Sequence, residues 1–192
     1  IIDLANLPDD YLPRTNFLPM SDRDIYEKNT PVVDWIDDGE SEYKKATSYY
    51  RLTFRNMLPP TGERTLIPVI FPPGPAHINS VTSTSFKNST DLLVAFASSC
   101  SLISDFFVKS TGRSGLYQLW NLLPSAPNTA EVISRVLVLN SITNNYDSLW
   151  SETYSVSYAE QQWSQSANPR LPQVFWGGLT SDWGRHCALR SE

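Results

Sequence analysis

"RLTFRNMLPPTGERTLIPVIF", residues 51–71, decides how this chain folds. Its opening alternates: Leu52 and Phe54, with Tyr50 ahead of them, fall on one side of an extended strand, and Arg51, Thr53 and Arg55 on the other. Successive side chains of a strand point to opposite faces, so the pattern predicts a half-buried strand with two arginines on its open face. "LPPTGE" (58–63) has turn chemistry, proline presetting φ and glycine tolerating the reversal. "RTLIPVIF" (64–71) is a second, almost wholly apolar β-type run, and its Pro68, with no N–H to donate, suggests an edge strand or a bulge.

Downstream, "PPGPAHINS" (72–80) reads as a tight, proline-fixed loop and "SVTSTSF" (80–86) as a third strand. Ser89 or Thr90 can cap a long helix carrying Leu92, Leu93, Phe96, Cys100, Ile103 and Phe107 on its inner face. The polar, basic loop "KSTGRSG" (109–115) closes it, and "LYQLWNLLPSAP" (116–127) leads to a proline-marked turn. Thr129 caps a second helix with Val132, Ile133, Val136, Leu137 and Asn140 on one side. A third is expected from about Tyr146 to Trp163 with Leu149, Trp150, Tyr154 and Tyr158 inward, before a loop-rich end anchored by Phe175, Trp176 and Trp183.

Upstream the signals are weaker. Residues 1–20 are proline-punctuated and without periodicity, which predicts an extended arm up to about residue 21. "DRDIYEK" (22–28) suggests a helical turn, "VVDWI" (32–36) a short strand and "DDGESEYKK" (37–45) a charged loop. A β-rich first half packed with a helical second half makes α+β the expected class, with residues 22–192 as one domain.

The chain has 192 residues, 41% of them hydrophobic, with six Trp, nine Tyr and eight Phe. That composition belongs to a globular protein with a full core. Its two cysteines, Cys100 and Cys187, form no CxxC pair, which disfavours a disulfide scaffold or a zinc site and fits a reducing cytosol. No signal peptide is visible at the start, and the longest apolar run, near 92–107, is interrupted by Ser98, Ser99, Ser101 and Asp105. A cytoplasmic protein with no membrane partner is expected. The chain starts without Met and stops at "HCALRSE", as an excised fragment would.

The net charge of −5 is unevenly spread. Residues 1–42 hold three basic against eleven acidic side chains (−8), residues 43–115 eight against three (+5), and residues 116–192 four against six (−2). The basic middle admits two readings. Its arginines could form a solvated face paired with acidic neighbours, or a surface that meets phosphate.

Catalytic patterns are thin. His77 and His186 lie far apart in sequence and in no metal-ligand spacing, and no GxSxG, GxxxxGK[ST] or GxGxxG motif occurs. "STGRSGLY" follows a helix rather than a strand, a poor context for a nucleotide loop. The two Pro-Pro pairs, in "MLPPTG" and "FPPGPA", lack the preceding Asn/Asp and the following aromatic of amino-methylating DNA methyltransferases, and read as turn prolines.

The run "YYRLTFRNMLPPTGERTLIPVIFPPGPAHINS" (49–80), with "DFFVKSTG" (105–112), "LVLNSITNNYDSLW" (137–150) and "WGRHCALRSE" (183–192), resembles large single-chain bacterial adenine-N6 DNA methyltransferases and type IIG restriction–modification proteins. The likeness covers roughly residues 22–192 and lies in the part C-terminal to their catalytic core, the TaqI-like target-recognition region. It implies a non-catalytic specificity domain that grips duplex DNA. The S-adenosylmethionine-binding domain that flips the adenine would lie outside this chain, so no cofactor is expected in it. Residues 1–21 would then link to that catalytic domain.

On that reading Arg51 and Arg55 line the phosphate backbone or dock under the neighbouring domain, and Arg64 either steadies the hairpin or touches DNA. Lys87, Lys109 and Arg113, in exposed polar segments bracketing the long helix, are the candidate phosphate contacts. His77, Asn79, Ser110 and Thr111 are candidates for base or sugar. The alternative is a protein-interaction module docking onto the methyltransferase core or another defence-system subunit. A stand-alone hydrolase lacks a nucleophile–base pair.

Overall fold

The computed structural model describes residues 2–59, 61–165 and 168–190. Strand β1 (Arg51–Arg55) is the centre of a three-stranded antiparallel sheet, flanked by β2 (Pro68–Phe71) and β3 (Val81–Ser85) in the order β2-β1-β3. Pro68 opens β2 on an edge, opposite Phe54, where a missing N–H costs no ladder bond on the outer side. Helices follow the sheet, and the class is α+β.

The alternation in β1 is real, but its second face is not open. Leu52 and Phe54 are buried on one side, where α2 (Ser89–Cys100) packs on the sheet and the Phe54 ring stacks on Trp120 at 6.1 Å. On the other side Arg51 and Thr53 are only 2% and 1% exposed. The loop after β2 folds back over them. Gly74 turns it at φ +102°, a conformation that suits glycine, and donates its N–H to the Thr47 carbonyl at 2.8 Å. Arg51 Nη2 then donates to the Pro75 carbonyl, and its guanidinium lies 6.0 Å from the centre of the Phe71 ring. The expectation of two arginines on an open face is therefore corrected: only Arg55 is exposed.

The long helix breaks. Asn88, rather than Ser89 or Thr90, caps α2, its Oδ1 accepting from the Thr90 N–H at 2.7 Å. A second helix, α3 (Leu102–Ser110), leaves α2 at a 62° bend. The serines explain the break: Ser98 and Ser99 bond back to the carbonyls of Val94 and Ala95, which weakens the helix end. Ser101 then starts a new helix by accepting from the Ser104 N–H at 3.1 Å. Ser104 Oγ donates to the Ser98 carbonyl at 2.6 Å and fixes the corner. Cys100 and Ile103, expected inward, are exposed, and Phe107 is half-buried. Thr111 and Gly112 (φ +64°) close α3.

The chain forms two compact units, residues 15–126 and residues 1–14 with 127–192. The first contains the sheet, α2, α3 and the short α1 (Arg23–Asn29), which Asp22 caps. "VVDWI" contributes only a single bridge, Val32 to Lys45.

The second unit holds α4 (Ala130–Asn140), capped by Thr129, and α5 (Asp147–Thr153). The expected third helix thus stops ten residues short of Trp163, because Ser155 starts a 3-10 turn over Val156–Glu160. Tyr154 and Tyr158 instead donate their hydroxyls to the carbonyls of Leu179 and Thr153. Trp163, Phe175 and Trp176 cluster with ring centres 4.6–5.7 Å apart, and Arg135 lies over Trp176. Residues 4–9, read as part of an arm, are held here. Arg185 donates to the carbonyls of Ala5 and Leu7 and to Asp9, Arg190 donates to Leu4 and Leu7, and Leu7 is buried. Among the described residues no single helix is long and apolar enough to cross a membrane.

Candidate nucleic-acid interface

The residue after β1 organises the basic region. Asn56 donates its backbone N–H to the Ser80 carbonyl (2.9 Å) and its side-chain amide to the Asn79 carbonyl (2.7 Å). Its Oδ1 accepts from the Thr82 hydroxyl, and its carbonyl accepts from the Leu116 N–H at 2.9 Å. Two residues on, Leu58 N–H donates to the Ser114 carbonyl at 3.0 Å, and Met57 bridges Gly115. One end of β1 is thereby sewn to two loops distant in sequence, 77–82 and 111–116. The backbones of Arg55, Asn79 and Arg113 are gathered at that end.

All three residues are exposed, and neither Arg55 nor Arg113 has an ion pair among the described residues. The other cations of the basic middle, residues 43–115, are engaged. Lys87 Nζ lies 3.6 Å from Asp38, in an exposed pair, and Lys109 Nζ donates to the Gly62 carbonyl at 3.0 Å. Arg64 donates to the Cys100 carbonyl at 2.9 Å and lies 3.6 Å from Asp105, so it holds the turn against α3.

The remaining predicted residues are brought elsewhere or are committed. Arg51 is buried under the 72–79 loop, where desolvation lowers its pKa, and it is corrected out of the exposed set. His77 has both ring nitrogens engaged, with the Ile78 carbonyl (3.0 Å) and Ser83 Oγ (2.7 Å), and its ring lies against Phe71. Ser110 and Thr111 use their hydroxyl protons on the carbonyls of Phe107 and Val108, finishing α3, and the Thr111 oxygen also accepts from the Arg113 N–H at 3.4 Å.

Two residues that carry the arrangement escaped the sequence reading. Asn56 follows the last alternating position and has no signature of its own. Asp105 is 6% exposed, and its Oδ1 accepts from the N–H groups of both Thr65 and Leu66 at 2.8 and 2.7 Å. A carboxylate within an otherwise apolar helix was its one available signal. These bonds also explain why 65–67 is not strand: two of its N–H groups point at a side chain.

No catalytic constellation assembles among the described residues. His186 Nε2 comes within 3.5 Å of Cys187 Sγ, but the sulfur is in a fully buried residue, donates toward the Asp182 carbonyl, and burial pushes the thiol pKa up. A nucleophile needs the opposite, an accessible thiolate. Among the described residues no group of three or more His, Cys, Asp or Glu is placed to hold a metal ion.

Comparison with protein-family models, with curated proteins and with solved structures gave no match.

Proposed function

We propose that this chain is a non-catalytic DNA-recognition module of a bacterial, cytoplasmic, adenine-N6 methyltransferase of the restriction–modification type. It would bind duplex DNA and position it for an S-adenosylmethionine-dependent domain that this chain does not contain. The observation that carries the reading is the Asn56 network: it gathers Arg55, Asn79 and Arg113 at one end of the sheet, with both arginines exposed and unpaired by acids among the described residues. Arginine is suited to phosphate and to guanine edges, and an asparagine amide to adenine N6 and N7. The likeness of residues 22–192 to target-recognition regions supports the same partner.

The experiment is a salt titration of the whole chain on a short duplex. Log affinity should fall linearly with log salt, with a slope of about −0.9 for each phosphate neutralised. Arg113→Glu and Arg55→Glu should each flatten that slope by about one unit. No duplex binding at low ionic strength, or an unchanged slope in both variants, would remove DNA contact from this surface.

A further inference from the structure

Helix α3 is turned inside out. Ser104, Asp105 and Val108 face the interior, while Leu102, Ile103 and Phe106 are 74%, 72% and 73% exposed. An ordinary amphipathic surface helix does the reverse. The inversion has a local cause. Asp105 must point inward to satisfy the N–H groups of Thr65 and Leu66, and Ser104 must point inward to reach the Ser98 carbonyl. With 100° between successive residues, those two contacts leave 102, 103 and 106 on the outer side, at the i, i+1, i+4 spacing of a helix-packing stripe. Three large apolar groups held outward by a buried carboxylate mark an interaction surface better than scattered exposed leucines do.

The flank of the stripe states what fits it. Arg64 reaches the Cys100 carbonyl beside the start of α3, and Lys109, near its end, reaches back to the Gly62 carbonyl, so two cations line one edge. The only acid on α3 is Asp105, which is buried, leaving Glu63 of the turn as the nearby exposed carboxylate. We infer that the outer face of α3 docks an amphipathic protein helix whose apolar stripe covers Leu102, Ile103 and Phe106 and whose carboxylates meet Lys109 and Arg64. A helix matches because Leu102, Ile103 and Phe106 form a ridge of about one helical turn, roughly 6 Å along the axis, the spacing at which i, i+3/i+4 anchors of a partner helix engage. A lipid surface fits less well. Although α2 and α3 together are apolar in composition, Leu92, Leu93 and Phe96 of α2 are spent on the interior. The inference is independent of the DNA reading, since it uses neither Arg55 nor Arg113.

The test measures fluorescence anisotropy of the whole chain with two labelled synthetic helical peptides of about four turns. Both carry leucines at i, i+3, i+4 and i+7; one has glutamates along the flank of that stripe and the other lysines. The glutamate peptide should bind about fivefold tighter than the lysine peptide, and Lys109→Glu should abolish or reverse that preference. Phe106→Asp and Leu102→Asp, both at exposed sites, should leave the urea midpoint unchanged and weaken binding at least about thirtyfold. Equal binding of the two peptides, no binding of either, or indifference to Phe106→Asp overturns the inference. So does either of two reassignments: a concentration-dependent dimer by sedimentation that Phe106→Asp dissolves, which gives the face to a second copy, or Phe106-dependent binding to phosphatidylcholine–phosphatidylglycerol vesicles, which gives it to lipid.

Discussion

The two ends of β1 carry the same side chain on the same face of the same sheet, and the chain treats them in opposite ways. At the start, Arg51 is covered by the 72–79 loop and gives its guanidinium to a carbonyl and an aromatic ring. At the finish, Arg55 stays in solvent, and the loops that could have covered it are tied to Asn56 beside it. An i, i+4 pair of strand arginines therefore says nothing about its use until the loops are placed. One arginine belongs to the core, and the other lies in the exposed surface proposed to meet DNA.

The sharpest way to break that contrast is at the carboxylate that holds the turn leaving the Arg55 end. Asp105→Ala strips two buried N–H groups of their acceptor and leaves Arg64 without its counter-charge. Unsatisfied buried donors cost about 1–3 kcal/mol each, so a loss of about 3–5 kcal/mol is expected in urea unfolding. Asp105→Asn keeps one carbonyl oxygen in place and should lose distinctly less. Equal losses in the two variants would mean that the turn is held by packing rather than by the acceptor.

Next comes the direct comparison of the two arginines. Arg51→Ala opens a cavity under the loop and should cost about 2–4 kcal/mol, whereas Arg55→Ala should fall within about 0.5 kcal/mol of the parent. Arg51→Met sharpens the point. The Nε of Arg51 is buried and finds no hydrogen-bond partner, so a side chain of similar length without the charge should recover most of the loss. In duplex binding the order inverts: Arg55→Ala should reduce affinity and flatten the salt dependence, and Arg51→Met should do neither.

These contrasts mark what was legible in the residues. The strands at 51–55, 68–71 and 81–85 and the Thr129 cap could be read because alternation, turn chemistry and capping are local. The burial of Arg51, the break at Ser101 and the end of α5 at Thr153 could not: the first depends on where a distant segment lands, and the other two on serine side chains, Ser101 and Ser155, that accept backbone N–H groups just beyond each break. Pro75 covers the first, Ser104 reaching back to Ser98 fixes the second, and the Tyr154 hydroxyl finding Leu179 accompanies the third. Of the candidate site, the cations were visible as a basic middle. Which of them were free was not, because Asn56 and Asp105 act through partners more than twenty residues away.

The smallest effect tests whether charges near the start of β1 are as fully paired as its buried arginine suggests. Asp37 accepts the Tyr49 hydroxyl at 2.7 Å and lies 3.2 Å from Lys44, which also meets Glu40 at 3.0 Å. The Tyr49 hydrogen bond, with help from Lys44, holds the Asp37 carboxyl below its ordinary value. A depressed carboxylate contributes stability above its unfolded pKa and loses it as pH falls through the folded one. The contribution is thus intact at neutral pH and fades only below the usual aspartate range. Followed by carboxyl-carbon NMR, the Asp37 midpoint should rise in Tyr49→Phe and in Lys44→Ala, with the urea midpoint at neutral pH almost unmoved, since the group is solvent-exposed. An Asp37 midpoint unchanged in Tyr49→Phe would mean that this hydrogen bond does not hold the carboxylate, and the contrast between the two ends would rest on Arg51 alone.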